Sequence, residues 1–240
     1  MALEILVLAA GAGKRMRSSV PKVLQPLAGR PLLAHVLATA RELSPRKVIV
    51  VHGHGAEAVR EAFNAEQVEW VLQDQQLGTA HAVMQAMPRV SADADVLILY
   101  GDVPLTRAAT LKRLLESAGD GLAVLTAEPA DPAAYGRIVR DSAGGVAKIV
   151  EQRDASAAQR EIREINAGFY ALDARRLVGW LKRIDNRNAQ KEYYLTDLVA
   201  LAVADGVPVV AVKTDDALEV AGVNSPEELA QLEKHFGKAA

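Results

Sequence analysis

Residues 3–22 read LEILVLAAGAGKRMRSSVPK, which is the most informative stretch of the chain. A short apolar run ends in small residues and two glycines, Gly11 and Gly13, which is typical of a buried β-strand that delivers a glycine loop to a sheet edge. Basic side chains follow the glycines, at Lys14, Arg15, Arg17 and Lys22. Backbone N–H groups exposed by glycines, together with Lys and Arg, are what a polyphosphate requires. The stretch therefore predicts a phosphate-binding loop.

The bulk composition excludes several classes of protein. The 240 residues, of which 50% are hydrophobic, suffice for one large α/β core. The formal net charge of −2 leaves no broad basic face for nucleic acid, and the absence of cysteine excludes disulfides, thiolate catalysis and Cys-based zinc sites. The first apolar run is too short for a signal sequence or a membrane span, carries Glu4, and has its positive charges behind it. We therefore expect a soluble cytoplasmic protein.

Strands and helices alternate through the first half of the chain. Short apolar, β-branched runs predict strands over residues 3–8, 47–52, 68–72, 96–99 and 122–126. Apolar residues three and four apart predict helices over residues 31–43, 56–63, 79–87 and 107–117. This alternation favours an α/β fold with a doubly wound, mostly parallel sheet. Ligands of such sheets lie outside the carboxyl ends of the strands, so we expect residues 11–22, 73–79 and 100–102 on one rim.

The second half of the chain is organised differently. Hairpin strands are predicted over residues 136–140 and 146–151. Further predicted elements are a strand over 162–171, a helix through Trp180, a helix over 194–204 with Thr196 and Asp197 in its first turn, and a strand over 207–212. Ser225 and Pro226 begin a terminal helix as N-cap and first-turn proline. We interpret the chain as one folded unit whose second half forms a lid or lobe over the same rim.

The glycine loop matches neither of two common phosphate-binding motifs. A Walker A sequence needs Gly-Lys followed by Ser or Thr, but Gly13 and Lys14 are followed by Arg15. The dinucleotide fingerprint needs a third glycine where Met16 stands. A dehydrogenase is therefore disfavoured, and the cations of the loop point to another phosphate compound.

Ordered motifs along the chain carry a resemblance to a known family. LAAGAGKRM and PKVLQPLAGRPLL resemble the signature of sugar-phosphate nucleotidyltransferases. Later motifs are similar to one branch, the uridyltransferase domain of bacterial N-acetylglucosamine-1-phosphate uridyltransferases. In chain order they are LGTAHAV, LYGDVPL, YGRIVRD, IVEQRDA, INAGFY, NAQKEYYLTD and VAGVN, with Gln73 ahead of the first. Each motif is weak alone, but the ordered set covers nearly the whole chain and is highly specific.

The resemblance implies the fold and the domain organisation. We expect a Rossmann-like nucleotidyltransferase domain over residues 1–225, with a nucleotide half over about 1–130, a smaller sugar-binding lobe over about 131–225, and a terminal helix or truncated linker over 226–240. The family's typical protein continues into a left-handed β-helix that transfers acetyl groups and builds a trimer. This chain stops at Ala240 without hexapeptide repeats, so we expect no acetyltransferase activity and a monomer or weak oligomer.

The implied reaction is Mg²⁺-dependent transfer of UMP from UTP to N-acetyl-α-D-glucosamine 1-phosphate, which releases pyrophosphate. The attacking phosphate is already largely ionised at neutral pH, so the reaction needs no general base. The enzyme must instead bring two anions together and stabilise the charge that is added in the transition state. We assign catalytic roles to Lys22 and Asp102 at the reacting phosphates, and to Arg15 at the departing ones. The alternatives are a transferase of the same fold with another base or sugar, and a non-catalytic UDP-sugar-binding protein.

Asp102 ends a predicted strand and is either a turn residue or a Mg²⁺ ligand. Mg²⁺ takes oxygen donors and is usually held by one or two protein groups plus substrate phosphates. The resemblance pairs Asp102 with Asn224 as the metal ligands. An amide such as that of Gln73 can both donate and accept, so it can bind a uracil edge, whose groups alternate as acceptor, donor and acceptor.

The resemblance supplies the rest of the site. The nucleotide-binding residues are Leu8, Ala9, Ala10, Gly11, Gly13, Lys22, Gln73, Gly78, Thr79, Tyr100, Gly101 and Asp102. The sugar-binding residues are Gly136, Glu151, Asn166, Tyr194, Thr196 and Asn224. The chain departs from the family pattern at Ala80, Ala167 and Lys191, where glycine, threonine and glycine are common. The histidines His52, His54 and His81 have no evident acidic partner, and we interpret them as structural or loop residues.

Overall fold

The computed structural model describes residues 2–239, with side chains described through Phe236, and a central β-sheet carries helices on both faces. The strands are β1 (Ala2–Ala9), β2 (Pro26–Leu27), β3 (Arg30–Pro31), β4 (Lys47–His52), β5 (Glu69–Leu72), β6 (Ala94–Tyr100), β7 (Leu122–Ala127), β8 (Arg137–Arg140), β9 (Val146–Val150), β10 (Ile165–Asp173) and β11 (Val209–Lys213). The helices are α1 (Leu32–Arg41), α2 (Ala56–Ala62), α3 (Thr79–Ala86), α4 (Ala108–Ala118), α5 (Ala157–Arg160), α6 (Ala174–Leu181), α7 (Asp197–Ala204) and α8 (Pro226–Ala239). Short 3₁₀ turns span Lys14–Met16, Lys22–Leu24, Met87–Arg89 and Ala217–Val220.

The central sheet has the strand order β11-β7-β10-β6-β1-β4-β5. β1 pairs in parallel with β4 and β6, β4 with β5, and β7 with β11. β10 lies antiparallel between β6 and β7, and the β8–β9 hairpin joins its beginning. The expectation of a mostly parallel α/β sheet is confirmed, with β10 and the β8–β9 hairpin as its antiparallel parts.

Continuous apolar strands bury side chains on both faces of this sheet. In β1, Leu6 and Leu8 face the core built with α3, α6 and α7, whereas Ile5 and Val7 face the core built with α1, α2 and α4. Alternate residues of a strand point to opposite faces, so a strand covered on both sides must be apolar at every position. This is why the run at residues 5–8 has no polar residue.

In the second half of the chain, three elements begin two or three residues later than predicted. β10 begins at Ile165 rather than at residue 162, because Ile162 still donates its N–H to Gln159 in the turn after α5. α7 begins at Asp197 rather than at residue 194, because the preceding turn is closed by bonds three residues apart, from Leu198 to Leu195 and from Val199 to Thr196. β11 begins at Val209, after a proline that has no N–H to donate.

The second half of the chain contributes to the central sheet as well as to its rim. β10 and β11 lie in the main row of strands, and the β8–β9 hairpin joins this row through the pairing of β8 with β10. The division into a nucleotide half and a sugar-binding lobe near residue 130 stays a prediction. In the part of the chain that the structure describes, no helix has the length and apolar character that crossing a membrane requires.

Candidate active site

Loops that follow β1, β5 and β6 meet around a cavity of about 440 Å³. The strand register explains the meeting, because Leu8 pairs with Tyr100, and His52 pairs with Leu72. Predicted site residues that line the cavity are Leu8, Ala9, Ala10, Gly11, Lys22, Gln73, Gly78, Thr79, Tyr100, Asp102 and Asn224. The carboxyl ends of the parallel strands thus bring distant segments together, as the topology predicts.

Other predicted residues lie outside this lining. They are Arg15, Gly13, Gly101, Gly136, Glu151, Asn166, Tyr194 and Thr196. The lining also includes residues that the sequence argument did not assign to the site, namely Ala12, Lys14, Val23, Gln76, Ala82 and Glu192. Lys14 and Gln76 lie within the loops that were predicted to reach the rim, so their place was available from the sequence. Glu192 lies within the motif NAQKEYYLTD, but the resemblance assigned it no role.

The glycine loop offers backbone donors to the cavity. Within residues 2–239, the N–H groups of Gly11, Ala12 and Gly13 donate to no protein acceptor. Gly13 has the left-handed φ of 58°, and a Cβ atom there would stand 2.8 Å from Cβ of Lys22. Glycine is therefore required both for the turn and for the close approach of Lys22. The result is a run of three unpaired N–H groups, two of them on residues that line the cavity, and such groups can bind phosphate oxygens.

Lys22 joins two distant segments at the floor of the cavity. Its ammonium group forms an ion pair with Asp102 and donates to Oδ1 of Asn224 at 3.1 Å. The Lys22 and Asp102 side chains are each 12% exposed. Asn224 reaches this position because the N–H of Val223 donates to the carbonyl of Asp102 at 2.9 Å. The predicted proximity of Lys22, Asp102 and Asn224 is therefore present in the fold.

The oxygen atoms around Lys22 fit a divalent cation such as Mg²⁺. Carboxylate and amide oxygens of Asp102 and Asn224 converge on one positive charge. Within the described residues no group of three or more His, Cys, Asp or Glu side chains could hold a metal ion. Mg²⁺ suits a sparse donor set of this kind, because it usually takes one or two protein oxygens and completes its shell with water and substrate phosphates.

The cations of the loop differ in where they lie. Lys14 lines the cavity, whereas Arg15, on the same 3₁₀ turn, is exposed and outside the lining. Both side chains are long and solvated, so either can reach an anion above the loop. The geometry favours Lys14 over Arg15 as the second cation at the cavity, and the role of Arg15 stays a prediction.

The start of α3 forms the opposite wall. Gly78 has φ of 117°, and a Cβ atom there would lie 2.5 Å from the carbonyl oxygen of Tyr193. The backbone of Tyr193 donates to Leu77 and accepts from Ala80. Thr79 accepts the N–H of Leu195 at 3.0 Å. The segment before α7 is thus tied to the loop that carries Gln73.

Tyr100 connects this cavity with the predicted sugar-binding residues. Gly168, with φ of 88°, lies against the Tyr100 ring, and a Cβ atom there would be 2.6 Å from it. Asn166 donates to the hydroxyl of Tyr170 at 2.8 Å. Burial raises the pKa of both Tyr100 and Tyr170, and the charge of Glu151 adds to each shift. The phenols therefore stay protonated and serve as hydrogen-bonding groups.

Glu151, Tyr194 and Thr196 line a second cavity of about 300 Å³. Thr196 donates to Glu151 at 3.0 Å, and a Cβ atom at Gly136 would lie 3.6 Å from Oε2 of the same carboxylate. Burial raises the pKa of Glu151, which the Thr196 hydrogen bond partly offsets. Burial also raises the pKa of Tyr194 to about 12, and its hydroxyl donates to Asp154. These residues form two hydrogen-bonded pairs, Thr196 with Glu151 and Tyr194 with Asp154, that line the same cavity.

Two further observations concern residues noted in the sequence. Lys191 has the left-handed φ of 56°, which explains why glycine is common at that position in the family it resembles. The His52 ring contacts Trp70 edge-on at 5.3 Å, and burial lowers its pKa. That environment agrees with a structural role. His81 differs, because its ring contacts the side chain of Gln73 in the cavity wall.

Comparisons with known proteins agree with this geometry. Residues 5–166 match the model of the family described as MobA-like NTP transferase domain. The chain is 57% identical over 233 residues to the bifunctional protein GlmU of Paraburkholderia phymatum, covering 97% of this chain and 51% of that protein. GlmU of Pseudomonas aeruginosa is 55% identical, over 98% of this chain and 52% of that protein. The chain thus spans about half the length of the curated relatives it matches.

A solved structure extends the agreement to the fold. A nucleotidyl transferase from Methanothermobacter thermautotroptrophicus superposes with a TM-score of 0.69 at 22% identity, covering 100% of this chain and 99% of that one. The chain has an α/β sheet with a glycine loop at its carboxyl edge, and it matches the NTP transferase family and the GlmU proteins in sequence. It is therefore a nucleotidyltransferase. More particularly, the chain belongs to the family of MobA-like NTP transferase domains, and it is a homologue of the GlmU proteins.

Proposed function

We propose that this chain transfers UMP from UTP to N-acetyl-α-D-glucosamine 1-phosphate, with Mg²⁺ as cofactor and pyrophosphate as the second product. One observation carries the proposal: Gly11 and Ala12, whose N–H groups have no acceptor within residues 2–239, line one cavity with the Lys22–Asp102–Asn224 group and the amide of Gln73. The ordered motifs and the GlmU relatives support the choice of uridine and of an amino sugar.

The chemistry of the reaction suits the groups present. A phosphate monoester oxygen attacks the α-phosphorus of UTP, the new P–O bond forms, and the bond to the β-phosphate oxygen breaks. The attacking oxygen needs no base, because the second pKa of a phosphomonoester is about 6. The catalytic task is to hold two anions in line and to stabilise the added charge.

Each group of the cavity takes part of that task. The N–H groups of residues 11–13 bind the triphosphate, and Lys14 and Arg15 balance the charge of the departing pyrophosphate. Lys22 neutralises the reacting phosphates, and its packing against Gly13 fixes its stem. Asp102 and Asn224 would hold Mg²⁺, which when bound supplies further neutralisation of phosphate charge.

The second group of residues suits the sugar. Asn166 and Glu151 can bind hydroxyl or amide groups of a hexose, and Gly136 permits close approach of the backbone. Thr196 donates to Glu151 and Tyr194 donates to Asp154, so each of these carboxylates is held by a hydroxyl group. We place the sugar beside Tyr100, between the two cavities.

Pyrophosphate release tests the proposal. UTP, CTP and GTP are each supplied with Mg²⁺ and either N-acetylglucosamine 1-phosphate or glucose 1-phosphate. We expect turnover with UTP and the N-acetylated sugar to exceed every other pair. Equal turnover with CTP or glucose 1-phosphate would favour a transferase of the same fold with another specificity. Tight binding of UDP-N-acetylglucosamine without any pyrophosphate release would instead identify a non-catalytic sensor.

The scope of the proposal follows from the part of the relatives that the chain matches. It concerns uridylyl transfer, and acetyl transfer is no part of it. A monomeric or weakly oligomeric state and a cytoplasmic location remain predictions. Size-exclusion chromatography with light scattering over a range of protein concentrations tests the first of these.

A further inference from the structure

The side-chain amide of Gln73 is held at its nitrogen end by two protein acceptors. Nε2 lies 3.1 Å from the carbonyl oxygen of Gly78 and 3.0 Å from Nδ1 of His81. Gln73 is 3% exposed and lines the main cavity. Within residues 2–239, its amide oxygen accepts no hydrogen bond from the protein. The oxygen is therefore the end that remains for a ligand.

Hydrogen-bond chemistry fixes this orientation. A carbonyl oxygen can accept and cannot donate, so the Gln73 nitrogen must face Gly78. The same nitrogen then donates its second hydrogen to His81, whose Nδ1 must be unprotonated. A rotated amide would place its oxygen against the carbonyl oxygen of Gly78, and two acceptors cannot form a hydrogen bond. His81 thus takes the second N–H of Gln73, which would otherwise be free to face the cavity.

The proton of His81 must then reside on Nε2. The side-chain nitrogen Nε2 of Gln85 is placed 3.2 Å from that nitrogen, where two donors would face each other. A neutral imidazole has one acceptor nitrogen, so the Gln85 amide must be turned to present its oxygen to the Nε2–H of His81. Residues 78, 81 and 85 are three and four apart, so the start of α3 places them on one face. The His81 ring also contacts the Tyr193 ring, with centroids 6.3 Å apart. The orientation of Gln73 is thus set by a chain of groups that runs from α3 into the cavity.

We propose that His81 is a positioning residue that sets the pyrimidine preference of the site. Because His81 and Gly78 hold the Gln73 nitrogen, only the Gln73 oxygen, an acceptor, is available to the base. Uracil meets such an acceptor with its N3–H, whereas cytosine has an unprotonated N3 that an oxygen repels. A site that hydrogen-bonds a substrate N–H rejects an analogue that lacks it. This inference rests on the proposed function for the identity of the nucleotide, and it adds the residue and the mechanism that exclude cytosine.

Two substitutions of His81 separate this role from a merely structural one. In His81→Asn, the amide oxygen replaces Nδ1 as the acceptor, so the preference is expected to survive. In His81→Leu, the second N–H of Gln73 is freed, and the ratio of kcat/KM for UTP to that for CTP is expected to fall about tenfold. The matched control is His235→Leu, at an exposed position on α8. An unchanged ratio in folded His81→Leu, or an equal loss in His81→Asn, overturns the proposal.

A measurement on the wild-type chain covers the case in which His81→Leu does not fold. Long-range ¹H–¹⁵N correlation of the imidazole resonances identifies the tautomer of each histidine. The proposal requires His81 to carry its proton on Nε2, and a proton on Nδ1 overturns it. Equilibrium binding of UMP and CMP to the wild type and the variants gives the preference without turnover. Absence of pyrophosphate release would therefore refute the proposed function alone, while loss of the UMP preference in His81→Leu would still support this inference.

Discussion

At the scale of single residues, the site depends on charges that the fold brings together from distant positions. Lys22 and Asp102 are 80 residues apart, and Asn224 lies 202 residues beyond Lys22. The sequence predicted Lys22 and Asp102 because each follows a recognisable strand or loop. Asn224 stood beside an ordinary helix start, so only the family resemblance indicated it. The backbone bond from Val223 to Asp102 that brings it there depends on tertiary structure, which no local pattern encodes.

Replacing Asp102 tests whether this carboxylate acts in the reaction. Asp102→Asn keeps the shape of the side chain but removes its charge, so Lys22 loses its ion pair and the cation site loses its anionic ligand. We expect kcat to fall by about 10²–10³, because a group that stabilises transition-state charge is typically worth that much. Pyrophosphate release under saturating substrate gives kcat, and thermal unfolding gives the stability.

The control for this variant is Asp120→Asn, in the exposed turn before β7 at the other end of the sheet. It makes the same chemical change away from the cavity and should turn over at the wild-type rate. The catalytic assignment of Asp102 is wrong if folded Asp102→Asn keeps wild-type turnover. A melting temperature that falls together with activity would instead indicate a structural role.

At the scale of elements, sequence patterns located the strands well but not their directions. β4 was predicted to the residue, and β1, β6 and β7 within two residues, because apolar runs covered on both faces are hard to mistake. The antiparallel direction of β10 was not predicted, since a strand buried on both faces has the same pattern in either direction. The irregular register of β10 between Asn166 and Tyr170 was equally hidden.

Gly168 lies within the irregular part of β10 and contacts a residue of the cavity. The residue adopts φ of 88° and lies against the Tyr100 ring, which lines the cavity. In Gly168→Ala, the new methyl group would strain the backbone and displace the ring. We expect a loss of stability of about 1–3 kcal/mol and a larger rise in KM for the sugar phosphate than for UTP. Urea unfolding and steady-state kinetics measure the two effects.

A matched control for this change is Gly179→Ala, in α6, where an added methyl group meets nothing within 4 Å. Alanine favours a helix over glycine, so this variant should be slightly more stable than the wild type. If Gly168→Ala behaves like Gly179→Ala, the contact with Tyr100 does not constrain β10.

Asp197, in the first turn of α7, is expected to make the stability of the protein depend on pH. Burial raises the pKa of Asp197 to about 6, and the charges of Asp185 and Asp154 add to the shift. The native state therefore binds more protons than the unfolded state between about pH 4 and 6, and stability falls as pH rises through that window. We expect Asp197→Asn to melt a few degrees higher than the wild type at pH 7, with a smaller gap at pH 4.

Melting curves of the two proteins at a series of pH values check this prediction. The positive end of α7 favours a negative charge at its first turn and opposes the shift. If that effect dominates, Asp197→Asn will be less stable than the wild type at pH 7, and the direction assigned to the pKa of Asp197 is wrong.

At the scale of the whole molecule, the two ends of the sheet differ in role. The carboxyl ends of the strands form the cavity, whereas the amino ends meet at Glu4, which is fully buried. Glu4 accepts from Nε of Arg46 at 2.9 Å and from the N–H of Ser91 at 3.0 Å. It thereby joins β1 to the segments that precede β4 and β6. Burial alone would raise the pKa of Glu4, but the Ser91 and Arg46 hydrogen bonds and the charge of Lys47 hold it below its ordinary value.

This difference predicts that Glu4→Gln reduces stability without affecting catalysis. Removing one partner of a buried pair usually costs about 3–5 kcal/mol, but Arg46 is 39% exposed and can be solvated, so we expect about 2 kcal/mol. Because the native pKa of Glu4 is depressed, its contribution is present above the ordinary carboxylate pKa and is lost as pH falls below it. The stability gap to the wild type should therefore be large at pH 7 and small near pH 3.

Urea unfolding at both pH values measures the gap, and kcat at pH 7 below the melting range should equal that of the wild type. Loss of kcat in folded Glu4→Gln would mean that the two ends of the sheet are coupled. The amino ends of the strands would then affect catalysis as well as stability, contrary to this prediction.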